Sequence, residues 1–249
     1  MNLNEQKNKY RTLEDWFETP QGIYASAAFT SILSSYVDQL KGATLLQIGA
    51  GFDSPWLDML SFRRKWVVSP CTDSAHSNLV AKPLALPFER NSMDCLIAPF
   101  GIEAQGVEKS PLDEFDRILK PMGHLVLWGI NPLSFWGLCL RMHGLDFFGD
   151  QTATLMSPFV VRQALVRRGF RHCAMNTFYY IPPFKNERFI QHLKFLNEIG
   201  KMIAPMPAGF YCLIVQKYQE SPIGLQRSRR FRFRLPEQGV LQGGASWRK

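Results

Sequence analysis

Gly49, Ala50 and Gly51 follow directly on a short apolar run at residues 44–48. Such a run is consistent with a buried strand. Glycine accepts positive φ and, lacking a Cβ, lets a ligand come close to the backbone. A strand that runs into Gly-x-Gly and then a helix is a common nucleotide cradle in doubly wound sheets. Two glycines after a strand also occur in ordinary loops, so this spacing alone leaves both readings open. The other reactive residue types are scattered. The five cysteines (Cys71, Cys95, Cys139, Cys173, Cys212) include no C-x-x-C pair. His124, His143, His172 and His192 stand apart, no His/Cys/Asp cluster has metal-ligand spacing, and no metal is expected.

Around the glycines, the pattern predicts a short helical turn at 12–17, broken by Pro20-Gln21-Gly22, after polar and frayed residues 1–9. A helix over 23–40, ended by Lys41-Gly42, leads into the first strand. A short helix at 55–60 and a second strand at 65–69 follow. Residues 79–81 form a brief edge element, 84–94 are mostly loop, and 94–98 are a further buried strand. Ser110 as N-cap and Pro111 at the first helical position predict a helix over 111–119. Pro121-Met122-Gly123 stops it, and 124–129 is the next strand. Further helices are expected at 134–142, at 157–168 with Gly169 as the terminal glycine, and at 187–202. Strands are expected at 172–180 and 210–215. Strands separated by helices argue for a three-layer α/β domain.

Composition sets the bounds. A chain of 249 residues, 46% hydrophobic and 20% charged, can bury one sizeable core and is globular. No apolar run reaches membrane-spanning length. The odd cysteine count and the lack of a signal-peptide pattern lead to the expectation of free thiols in a reducing, cytoplasmic setting. Residues 225–249 hold seven positive residues and one negative, so this stretch carries +6 of the net +8. The body therefore gives little reason to expect a nucleic-acid partner. In the tail, Phe231-Arg232-Phe233-Arg234-Leu235 alternates rings or apolar groups with arginine. That pattern is open to base stacking, to an added edge strand, or to a solvated tail.

Two longer segments are more specific than the glycines. Ala85-Leu86-Pro87-Phe88 followed by Asn91-Ser92-Met93-Asp94, and then residues 114–125 (EFDRILKPMGHL), resemble the "ALPF…NSFD" and "E..R.LKPGG.L" segments of class I S-adenosylmethionine-dependent methyltransferases. The turn at 49–51 resembles that family's first motif. Residues 129–138 (GINPLSFWGL) resemble a "GfNP.SlWGL" signature of a bacterial branch related to the type 11 methyltransferases, and residues 16–22 resemble its N-terminal segment. The resemblance covers roughly residues 13–217. It implies a three-layer Rossmann-like fold with a seven-stranded, mostly parallel sheet whose last strand is antiparallel. The implied organisation is an N-terminal helical segment at 1–42, a methyltransferase-like domain at 43–217 and a basic, flexible tail at 218–249.

The resemblance implies one cofactor pocket, for S-adenosylmethionine and its product S-adenosylhomocysteine, at Gln47, Gly49, Ala50, Gly51, Phe52, Ser69, Pro70, Ala85, Leu86, Pro99 and Phe100. These cofactor-binding motifs are degenerate. Gln47 stands where the family carries an acid near the methionine ammonium, and Asp53 where a third glycine is often found. Ser69-Pro70-Cys71 stands where an acid accepts from the ribose, with Asp73 the nearest acid, and Lys82 stands for an acid near the adenine. Losing the ribose acceptor and the ammonium partner together would weaken the cofactor by roughly 2–4 kcal/mol if nothing compensates.

No catalytic residue is singled out, because methyl transfer from a sulfonium needs a well-placed nucleophile more than an acid–base set. Glu103, just past the fourth strand, is read as a solvated carboxylate or a general base. Asn131-Pro132 differs from the Asn/Asp-Pro-Pro motif of amino-methyltransferases, which follows the fourth strand rather than the fifth, and is read as a turn. Phe135, Trp136, Phe147 and Phe148 line an apolar substrate pocket or cover the sheet edge. The reading is a methyltransferase acting on a small, partly apolar acceptor, with a protein partner possible. The alternatives are an inactive methyltransferase-fold binding or regulatory subunit, and an RNA methyltransferase using the tail.

Overall fold

A computed structural model of the chain describes residues 3–49, 53–72, 76–105, 110–142, 155–184, 186–200 and 207–218. The tail beyond Tyr218, with Phe231–Leu235, lies outside the described residues, as do Asp73, His143, Phe147 and Phe148.

Seven strands form one sheet: β1 (Gly42–Ile48), β2 (Phe62–Ser69), β3 (Leu79–Val80), β4 (Met93–Pro99), β5 (Leu119–Ile130), β6 (Phe170–Phe178) and β7 (Phe210–Lys217). Their order is β3-β2-β1-β4-β5-β7-β6. The first five are mutually parallel, while β7 runs antiparallel to both β5 and β6. This is the expected three-layer α/β architecture. The chain leaves β1 toward β2 on one side and returns to β4 on the other. The carboxyl ends of β1 and β4 therefore flank the switch point at which open α/β sheets bind ligands.

The central strands are apolar on both faces, as a sheet covered on both sides requires. Leu45, Val67, Ile97, Val126, Trp128 and Ile214 face one core, shared with Leu13 and Phe17 of α1 (Leu3–Glu18), Phe29 of α2 (Pro20–Ser34) and Trp56 of α3 (Pro55–Met59). Leu46, Val68, Leu96, Leu125, Leu127 and Leu213 face the other. There they meet Phe115 of α4 (Leu112–Ile118) and Leu165 of α6 (Pro158–Arg167). Three short helices complete the set: α5 (Phe135–Arg141), α7 (Glu187–His192) and α8 (Phe195–Ile199).

The N-terminal region departs from expectation. Residues 3–18 are one helix, not a frayed segment and a turn. Its stripe of Gln6, Tyr10, Leu13 and Phe17 is buried, which holds an otherwise polar helix in place. Pro20 does not break a helix but begins one. It takes the first-turn position after Thr19, whose side chain accepts from the Gly22 N–H. The α1–α2 corner is tight, since a Cβ on Gly22 would collide with the backbone of Trp16 and Phe17. Two smaller differences lie at helix ends. Pro111 is itself the cap residue of α4, and the helix expected over 187–202 divides into α7 and α8 around Leu193 and Lys194.

Candidate functional site

The segments behind the resemblance turn out to be struts. Glu114 and Arg117 of α4 form a two-armed pair, Arg117 Nε to Glu114 Oε2 at 2.8 Å and Nη2 to Oε1 at 2.8 Å. Together they grip the loop at 85–88: Arg117 donates to the carbonyls of Leu86 and Phe88, and the Leu86 N–H donates to Glu114 Oε1 at 2.7 Å. Arg117 holds the Glu114 carboxyl below its ordinary range despite partial burial. Asp94 does similar work at the amino ends of the strands. It accepts from the Ala43 and Thr44 N–H groups and the Thr44 hydroxyl, and pairs with Lys120 at 2.8 Å. Burial alone would raise the Asp94 carboxyl, but Lys120 and these donors keep it below its ordinary value. One pair thus fixes the loop bearing Ala85 and Leu86, and the other aligns β1, β4 and β5.

At the carboxyl ends of the strands, Gly49 has φ +73°, and its N–H donates to the Val68 carbonyl at 2.8 Å. Ala50, Gly51 and Phe52 lie outside the described residues. Gln47 is fully buried on the α2–α3 side of β1. Its amide donates to Ser54 Oγ and its carbonyl accepts from the Trp56 indole, both at 2.8 Å. Ser69 ends β2 beside Gly49 with 0% exposure, and Pro70 is buried after it. Leu86 is buried, whereas Ala85 is exposed. Pro99 ends β4, and Phe100 follows with φ +51°, a left-handed conformation uncommon for a bulky residue. The Phe100 N–H donates to the Trp128 carbonyl at 2.6 Å.

Helix α1 lies directly on these strand ends. The Tyr10 ring rests against Gly49, so that a Cβ on the glycine would run into it. The Tyr10 hydroxyl accepts from Gln105 Nε2 at 3.0 Å, and Gln6 donates to the same Gln105 at 2.8 Å. Ser69 Oγ donates to Glu14 Oε1 at 3.0 Å, and the Cys71 thiol donates to the Lys7 carbonyl at 3.4 Å. Burial, and secondarily the Glu14 charge, pushes the Cys71 thiol up. Trp16 sits 5.8 Å from both Phe100 and Trp136, ring to ring. An indole therefore packs against Trp136, one of the residues expected to line an apolar pocket or cover the sheet edge. Of these α1 residues, the sequence points only to Trp16, through the resemblance at 16–22. The available signal was the spacing of Gln6, Tyr10, Leu13 and Phe17, one helical face.

Glu103 is not a solvated carboxylate. It is 1% exposed, its Oε1 accepts from the Ile130 N–H at 2.8 Å, and burial pushes its pKa up to about 8. Among the described residues its Oε2 and the Tyr211 hydroxyl, which lies over Gly129, have no hydrogen-bond partner. Asn131-Pro132 is a turn as read: Asn131 Oδ1 accepts from the Leu133 N–H at 3.1 Å, and Ser134 caps α5. His124 is half-buried within β5, with its pKa lowered by burial, in register with Cys95 and Gln216 away from the strand ends. Among the described residues no group of three or more His, Cys, Asp or Glu could hold a metal ion. Among them, too, no helix is long and apolar enough to cross a membrane.

The strand ends carry groups that suit a cofactor carrying adenosine. Gly49 offers a backbone without a Cβ, Leu86 an apolar surface, and the Ser69–Glu14 pair a carboxylate at the end of β2. The flat Tyr10 ring stands in for a ligand over Gly49. The donor set therefore fits such a group, with Tyr10 and Glu14 of α1 packed over it.

No family model matches the chain, and no curated protein matches it. Solved structures do. A Thermotoga maritima S-adenosylmethionine-dependent methyltransferase, described as a possible histamine N-methyltransferase, aligns with TM-score 0.59 and 16% identity over 87% of this chain and 100% of its own. An Archaeoglobus fulgidus S-adenosylmethionine-dependent methyltransferase aligns with TM-score 0.55 and 17% identity, covering 84% of this chain and 99% of its own. A chain from the Haloferax volcanii complex of the Trm112 methyltransferase activator and a methyltransferase aligns with TM-score 0.54 and 15% identity, covering 83% and 98%. With the strand order and the antiparallel β7, these likenesses give the chain a class I S-adenosylmethionine-dependent methyltransferase-like fold.

Proposed function

We propose that the protein is an S-adenosylmethionine-dependent methyltransferase acting on a small, partly apolar acceptor. The observation that carries this reading is Gly49, held at positive φ at the carboxyl end of β1 with β2 and β4 on either side. The bound cofactor supplies an electrophilic methyl group. The chain's own part is to bind and orient: Gly49 and Leu86 present backbone and apolar surface, and the residues at the end of β2 present polar acceptors. The residues after β4 and β5 exclude water from the reacting face. Trp16, Phe100 and Trp136 pack their rings on one another at those ends, and an apolar or aromatic acceptor would take the place of the Trp16 indole. The cofactor residues remain those expected from the sequence, with Ser69 acting together with Glu14. The setting is read as cytoplasmic, in keeping with five free thiols.

A second reading, a fold that binds without catalysing, is favoured by one observation: Tyr10 packs on Gly49, and Gln47 is engaged internally by Ser54 and Trp56. The activator-bound Haloferax volcanii assembly supports looking for a protein partner under this reading. The two are separated by incubating the protein with methyl-labelled S-adenosylmethionine and a fractionated cell extract. Label appearing in a small-molecule fraction, absent with boiled protein, supports the enzyme. Retained cofactor with no transferred label supports the binding protein.

A further inference from the structure

The geometry points to Glu14 of α1 as the acceptor for the ribose hydroxyls of an adenosine-containing ligand, a role delivered from outside the sheet. This rests on the reading of the strand ends proposed above. In open parallel sheets, the acid that accepts from the ribose stands about 20 residues beyond the glycine turn, at the end of the second strand. Ser69 occupies that place here and has no carboxylate. The position is not empty of charge, however, because Glu14 Oε1 accepts from Ser69 Oγ at 3.0 Å. Ser69 is fully buried, so the bond draws the carboxylate onto the strand end itself. Ile48 and Val68 are in register, and Gly49 bonds the Val68 carbonyl. The glycine and the serine therefore sit side by side, one inter-strand spacing apart, about 4.8 Å.

Glu14 is also held rather than swinging. Gln6 and Tyr10 anchor α1 to Gln105, and the Lys7 carbonyl takes the Cys71 thiol. A carboxylate offers about four lone-pair sites, so the bond from Ser69 orients the group without filling it. Burial is the main cause of the raised Cys71 thiol, and the Glu14 charge is the second, so that charge lies near Cys71 as well as Ser69.

The same contacts suit an opposite role, in which α1 is a plug that must leave before a ligand enters. The sign of one substitution separates them. As a plug, α1 is loosened by Glu14→Gln and the ligand binds more tightly. As the ribose acceptor, Glu14→Gln removes a charge-assisted bond and weakens the ligand about tenfold. We expect titration of the full chain with S-adenosylhomocysteine to show that loss. The 2′,3′-dideoxyribose analogue, which lacks both hydroxyls, should bind wild type and Glu14→Gln with the same affinity, within about twofold. Ser69→Ala, which loosens α1 and keeps the carboxylate, should fall well short of the tenfold loss. Unchanged or tighter binding by Glu14→Gln overturns the inference while leaving the cofactor reading intact, as does equal weakening of both ligands. Absence of S-adenosylhomocysteine binding by wild type overturns the cofactor reading and this inference with it. If Glu14→Gln melts early, Glu14→Asp provides the comparison. Its shortened carboxylate should weaken S-adenosylhomocysteine selectively over the analogue, and equal effects overturn the assignment.

Discussion

Replacing Glu103 with glutamine should stabilise the protein at neutral pH and remove part of its pH dependence. Glu103 is fully buried, and its pKa stands at about 8 in the fold against an ordinary 4.5. Between those values the native state holds a proton that the unfolded chain has released. Stability contributed by this group is therefore greatest below pH 4.5 and is lost as pH rises toward 8. The slope is about 1.4 kcal/mol per pH unit, so moving from pH 5.5 to pH 7.5 costs about 3 kcal/mol. For a chain of this size that corresponds to roughly 5–10 °C in Tm. Glutamine keeps an oxygen for the Ile130 N–H and carries no proton to lose. Thermal melts of wild type and Glu103→Gln at half-unit pH steps should nearly coincide near pH 4.5 and diverge steadily above it, with the variant higher. His124, whose pKa burial lowers, gives stability that rises with pH up to its ordinary 6.5, and this cancels in the difference between the two proteins. Parallel melts across the whole range would refute the reasoning, since they would mean that Glu103 ionises in the fold without penalty.

Three further substitutions probe the site and its struts. Arg117→Lys keeps the charge but loses the fork that holds Glu114 and the carbonyls of Leu86 and Phe88. It should lower stability by about 1–2 kcal/mol in urea titrations and speed amide exchange at residues 84–88. Gln47→Glu places a charge at a fully buried position already satisfied by Ser54 and Trp56. It should destabilise by roughly 1–3 kcal/mol at neutral pH, recover on acidification, and give no gain in cofactor affinity. Tyr10→Ala removes a buried ring from over Gly49. It should lower stability by roughly 2–4 kcal/mol in denaturant titrations yet tighten S-adenosylhomocysteine binding, and weaker binding would contradict the view that this ring occupies ligand space.

Much of the sheet could be read from the chain because its central strands announce themselves locally. Residues 44–48 and 94–98 are continuous apolar runs, as burial on both faces demands. Ser157-Pro158 and Gly169 bracket α6 by cap chemistry alone. What escaped depends on distant partners. Helix α1 reads as polar until Gly49, Gln105 and Phe100 are brought beneath Tyr10 and Trp16. Pro20 reads as a breaker until Thr19 is seen to cap it. A lone Glu103 reads as solvated, because its burial comes from Ile130 and Gly129, on a strand that the chain reaches only after crossing α4. The missing acid at the end of β2 was legible as an absence at Ser69. That Glu14 bonds Ser69 was not, because the two residues lie 55 positions apart.

The central claim is that the ends of β1, β2 and β4 bind S-adenosylmethionine. Titration calorimetry of the full chain with S-adenosylmethionine and S-adenosylhomocysteine tests it most directly. The account predicts one site per chain for both ligands, with modest affinity, because Gln47 is taken up by Ser54 and Trp56 and Tyr10 must turn aside. No heat of binding at about millimolar ligand, in protein that melts cooperatively, would contradict it.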